Sequence, residues 1–144
     1  MLRLLITIAL LGAGWTTQPL HTLTCPETTA NATYAGRCFA SPHDTWLLEE
    51  DVWHYSPSQA VSEWEGMEIA GSFLPYGHSI QKPTHIGHVQ VFSYWDGMEV
   101  NIDMWDGDNV AQILLSSNPN IVNGFPEPPL SLVRQITEKA ARKF

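Results

Sequence analysis

Two stretches of this chain gather side chains whose types and spacing could do chemistry. In the first, Asp103, Asp106, Asp108 and Asn109 place four oxygen-bearing side chains within seven residues around one turn. Calcium favours oxygen clusters of this kind in extracellular proteins, which makes the turn a candidate calcium site. The spacing departs from the EF-hand loop, because the closing Glu and the central Gly are missing. Asp and Asn in a hairpin loop ordinarily serve the turn's own hydrogen bonds.

The second stretch is aromatic. Phe92, Tyr94 and Trp105 are interleaved with Gln90, Glu99, Asn101 and Asp103, in a chain that carries six tryptophans. Rings supply contact area and polar groups fix orientation, so Phe92, Tyr94, Trp105 and Asn101 form a candidate binding face for a sugar or a peptide. A helix opening at Pro57 would remove that face if it lay over the rings.

Other groupings are weaker. His78, His85 and His88 could ligate zinc, but His85 and His88 are three apart where a strand begins, and odd spacing sends them to opposite faces. Ser79 and Ser93 lie in no nucleophile-elbow context. The carboxylates Glu49, Glu50, Asp51, Glu63, Glu65 and Glu68 are numerous enough to supply an acid–base pair by chance. No catalytic residue is therefore assigned. The repeated Trp-Asp-Gly at Trp95 and Trp105 reads as two hairpin turns, since Asp-Gly is a favoured turn pair.

Charge narrows the partners. Between Phe39 and Val133 the only Lys or Arg is Lys82, against thirteen Asp and Glu, within a net charge of −8. So acidic a body repels phosphate backbones and excludes nucleic acid; it favours cations, basic peptides or neutral glycans. Calcium aside, no cofactor is implied.

The address is written at the start. Met1, Leu2 and Arg3 precede an apolar run from Leu4 to Gly14. That run is about 11 residues long, short of the roughly 20 that span a bilayer, and it ends in small residues, as a secretory signal peptide does. The mature chain is expected to begin near Trp15, secreted and without a stable membrane anchor. In an oxidising compartment Cys25 and Cys38 are expected to form one bridge, contributing about 3 kcal/mol by loop closure. Asn31-Ala32-Thr33 between them is an N-glycosylation sequon.

These side chains need elements to position them. Residues 15–40 are polar and without periodicity and read as an arm pinned by the disulfide. A short helix from about Pro42 is expected to run into a strand near Val52 to Tyr55. Ser56 can cap a helix from Pro57 to Glu65, with Gly66 terminating it and Met67 to Ala70 forming a short strand. Gly71 to Thr84 reads as a turn-rich loop. If Asp96-Gly97 is a two-residue turn, Trp95 pairs with Met98 and Val91 with Ile102. A four-residue loop at Asp106–Asn109 sets Trp105 opposite Val110, Ile102 opposite Ile113 and Val100 opposite Leu115. Both turns place the same apolar residues on one side. The other side carries His88, Gln90, Phe92, Tyr94, Glu99, Asn101, Asp103 and Trp105. A final helix, capped by Ser131, would dock Val133, Ile136, Ala140 and Phe144 on the apolar side.

The expected fold is thus α+β: a single domain over 41–144, with a three-stranded antiparallel meander at about 86–117 packed with two or three short helices. The expected role is that of a secreted, acidic, non-enzymatic domain binding an extracellular protein or glycan. An extracellular hydrolase using a carboxylate or His site is the alternative.

Overall fold

The computed structural model describes residues 11–18, 33–72 and 84–144. Within them the chain forms β1 (Thr16–Gln18), β2 (Tyr34–Ala40), a 3-10 turn (Pro42–Asp44), β3 (Trp46–His54) and α1 (Pro57–Ser72). β4 (Thr84–Ile86), β5 (Val89–Trp95), β6 (Glu99–Asp106), β7 (Asn109–Ser117) and α2 (Leu130–Lys143) follow. The strands make one antiparallel sheet in the order β1-β2-β3-β7-β6-β5-β4. This corrects the expected three-stranded meander with two or three helices: the meander is β5-β6-β7, and it is part of a seven-stranded sheet, with β3, β2 and β1 beyond β7 and β4 beyond β5, flanked by two helices.

The missing strands came from misread polarity. Residues 16–18 and 34–40, expected to be an arm, are β1 and β2, and Cys38, Phe39 and Ala40 are buried. β3 begins at Trp46 rather than near Val52 and pairs along its whole length with β7. Its run Leu48, Glu49, Glu50, Asp51, Val52 breaks the apolar alternation that marks a half-buried strand, because Glu50 takes a core-side position and is fully buried there. Trp15, expected to open the mature chain, is buried in the core directly before β1.

One side of the sheet holds the main core. Phe39, Leu48, Val91, Val100, Ile102, Ile113 and Leu115 pack there against Val133, Ile136, Ala140 and Ala141 of α2. The apolar stripe of α2 is as the periodicity dictates, and Arg142 and Lys143 fall in its last turn, where cations suit the helix dipole. Ser131 does not cap it; the N-cap position is Pro129, with no side-chain cap.

Helix α1 covers part of the opposite side and runs past its expected end. Ser56 Oγ accepts the Gln59 N–H at 3.4 Å, so the start is where the capping residue puts it. Gly66 does not stop the helix, and 67–70 are helical rather than a strand. Tertiary packing overrides the weak propensity of Gly66, because Ala60, Trp64 and Gly71 all lie buried on the side toward the sheet. Most of the loop expected over 71–84 lies outside the described residues.

The two turns of the meander exchange lengths. Trp95 pairs with Val100, not Met98, and Val91 with Met104, while Asp106 pairs with Asn109, leaving Gly107-Asp108 as a two-residue turn. At the first turn Asp96 Oδ1 accepts the N–H groups of Met98 and Glu99, each at 2.8 Å, which holds a four-residue loop open. The register moved by two residues, so every side chain kept its face. At the second turn Ile102 faces Ile113 and Val100 faces Leu115, as expected.

Candidate functional site

The register across β3, β7, β6 and β5 aligns side chains in rows on the side away from α2. One row is Glu49, Leu114, Asn101, Tyr94; the next is Asp51, Gln112, Asp103, Phe92. Beside them lie Trp53, Val110 and Trp105 at one end, and Leu47, Ser116 and Glu99 at the other.

The aromatic half of this face is not a surface. Phe92 is 1% exposed, Tyr94 7% and Asn101 6%, with Trp105 half-buried, so the expected open binding face is corrected to a helix–sheet interface. Trp64 of α1 stacks on Trp105 with centroids 6.0 Å apart, and it clusters with Phe92 and Tyr94. A Cβ on Gly71 would overlap the Phe92 ring, so the helix approaches as closely as glycine allows. Strand alternation is the same whether water or a helix covers the second face. The small residues Ala60 and Gly71 flanking Trp64 are the signal that could have told them apart.

Carboxyl groups crowd the same side. Burial, with lesser contributions from Asp51 and Glu99, raises Glu49 to about 7. Asp51 is also raised by burial, against hydrogen bonds from Tyr34 and Glu49 that lower it. The Tyr34 hydroxyl donates to Asp51 Oδ1. Burial lifts Asp103 to about 7, although Gln112 Nε2 donates to its Oδ1 at 2.9 Å. The convergence of Glu49 and Asp51 follows from their i, i+2 spacing on a strand, which sends Glu50 to the other face. Sequence reasoning had grouped all three without separating them.

The candidate calcium ligands do not converge. Asp103 is fully buried against Gln112, Asp106 Oδ2 lies 3.2 Å from His88 Nε2, and Asp108 Oδ2 lies 3.8 Å from His54 Nδ1. Asn109 Oδ1 approaches His54 Nδ1 at 3.1 Å. Alternation separates Asp103 from Asp106, and the other three are turned to histidines: Asp106 to His88, and Asp108 and Asn109, joined by a hydrogen bond of 3.3 Å, to His54. Among the described residues no group of three His, Cys, Asp or Glu could hold a metal ion. His85 is exposed on β4, and His78 lies outside the described residues, as do Cys25 and Asn31. Cys38 is buried on β2 and is not a free thiol.

A cavity of about 350 Å³ opens where the β5–β6 turn meets the chain leaving β7. Leu47, Met98, Pro119 and Phe125 give it apolar walls. Asp96, Glu99, Ser116, Ser117 and Asn120 supply its polar groups. Met98 and Phe125 are 56% and 51% exposed and both line this one cavity, so their apolar surface is gathered in one place. Burial, then the neighbouring Asp96, raises the Glu99 carboxyl. Sequence reasoning placed Glu99 on the right face but assigned no role to Met98, Ser116, Asn120 or Phe125. Apolar walls with a few convergent polar groups can hold and orient a small ligand.

No protein-family model, no curated protein and no solved structure matches this chain.

Proposed function

We propose that this chain is a small secreted, non-enzymatic binding domain whose ligand site is the cavity between the β5–β6 turn and the segment after β7. The observation that carries this reading is a concave site of about 350 Å³ with two large apolar side chains, Met98 and Phe125, held half in solvent beside it. That volume lies within the range of small-molecule sites, and half-exposed apolar side chains in the wall of a cavity are where a ligand recovers buried area. The secreted address rests on the apolar leader ending at Gly14. Among the described residues no helix is long and apolar enough to cross a membrane.

Hydrolysis by a carboxylate or His site is not adopted. Glu49 and Asp51 do not line this cavity, Asp96 has both carboxylate oxygens engaged by the turn and Asn101, which leaves Glu99 without a free acid–base partner there, and His54 and His88 face aspartates at a hairpin end.

A fragment screen by ligand-observed NMR tests the proposal, run on the mature chain and on a Met98→Ala, Phe125→Ala double variant. Both rim residues are largely exposed, so the variant is expected to fold. Fragments that bind the wild type and lose contact with the variant support the site. Fragments that bind both equally, or none that bind at all, overturn it.

A further inference from the structure

Resting on the cavity being the ligand site, we infer that it selects a small molecule carrying a protonated amine or guanidinium on an apolar body. Asp96 and Glu99 both line it, and none of its described lining residues is basic. The two carboxylates are not equivalent. Asp96 Oδ1 is taken by the N–H groups of Met98 and Glu99, and Oδ2 accepts from Asn101 Nδ2 at 3.2 Å. Asp96 therefore supplies negative field, while Glu99 is left as the carboxylate that can accept from a ligand. Ser116, the cross-strand partner of Glu99, also lines the cavity, so a hydroxyl stands beside that carboxylate on the same side of the sheet. A hydroxyl oxygen so placed can accept one further N–H.

The apolar walls decide the rest of the ligand. A bare metal cation would leave Leu47, Met98 and Phe125 unused, and an anion would face two like charges with no compensating cation. An ammonium or guanidinium head on Glu99, with carbon against Phe125 and Met98, satisfies both halves of the lining. Charge-assisted hydrogen bonds are the strong ones in a half-buried setting.

Calorimetric titration with benzylamine, benzyl alcohol and benzoate separates the charge from the shape. The wild type is expected to bind benzylamine about tenfold or more tighter than benzyl alcohol, the scale of one charge-assisted hydrogen bond, and benzoate not at all. Glu99→Gln should erase the amine preference while Glu99→Asp retains part of it, with thermal melts confirming that both variants fold. Equal binding of amine and alcohol would leave the cavity as a ligand site and overturn the cation inference. Tighter benzoate binding would do the same. Silence from all three probes at millimolar concentration would overturn both readings.

Discussion

The Gln112 amide donates to Asp103 Oδ1 at 2.9 Å, while Asp103 Oδ2 is buried with no partner among the described residues. This half-satisfied carboxyl lies on the sheet face beside the Trp64, Phe92 and Tyr94 cluster, and its burial keeps it protonated up to about pH 7. Leaving a buried acceptor unpaired is costly, and ionising it there costs more.

A pH dependence follows from that carboxyl. Unfolded, Asp103 loses its proton near its ordinary value of 3.8; folded, it holds the proton to about 7. Between those values the folded state binds more protons than the unfolded state, so stability falls as pH rises through the window. Glu49, raised from 4.5 to about 7, adds a slope of the same sign. Urea midpoints measured from pH 4 to 8 should decline, with Asp103 contributing on the order of a few kcal/mol across the window. Asp103→Asn should lose a large part of the decline and keep the part due to Glu49. Parallel curves for the two proteins would contradict the assignment.

The two glycines of α1 should respond oppositely to the same change. Gly66 has open space where a Cβ would go, so Gly66→Ala is expected to stabilise by about 0.5–1 kcal/mol through helix propensity. Gly71→Ala drives a methyl into Phe92 and Tyr94 and should cost about 1–3 kcal/mol. Thermal melts of the two variants check the sign. Stabilisation by both would mean that α1 does not lie on those rings.

The paired Trp-Asp-Gly motifs, alike in sequence, should also diverge. Asp96 holds two backbone N–H groups and the Asn101 amide, so Asp96→Ala is expected to cost about 1–2 kcal/mol. Asp106 Oδ2 meets the exposed His88 ring at 3.2 Å, and Asp106→Ala should stay within about 0.5 kcal/mol. Equal losses in a denaturant titration would contradict the different turn geometries.

How much of this was legible in the chain depends on which physical signal each residue carries. The face of every residue in β5, β6 and β7 could be read, because side-chain alternation survives even a two-residue slip such as that at Trp95 and Val100. The stripe of Val133, Ile136 and Ala140 was equally plain. β2 and β3 were hidden: Arg37 and Gly36 interrupt one, and the acids Glu49 to Asp51 interrupt the other, so neither shows clean alternation. Long-range pairing with β7 makes β3 a strand, β2 in turn pairs with β3, and pairing of that kind leaves no local pattern. The occupancy of the second face was hidden for a related reason, since Phe92 and Tyr94 alternate identically under water or under Trp64. The cavity was invisible, because Glu99, Ser116 and Phe125 come from three separate segments that only the folded chain brings together.

Ligands are expected to enter at the Asp96–Glu99 turn and not at the aromatic face. Amide chemical-shift mapping during a benzylamine titration tests it most directly. Perturbations should concentrate at Met98, Glu99, Ser116, Asn120 and Phe125, with Trp64, Phe92 and Tyr94 unmoved. Perturbations centred on Trp64, Phe92 and Tyr94 would contradict it, by showing that α1 yields the face it covers.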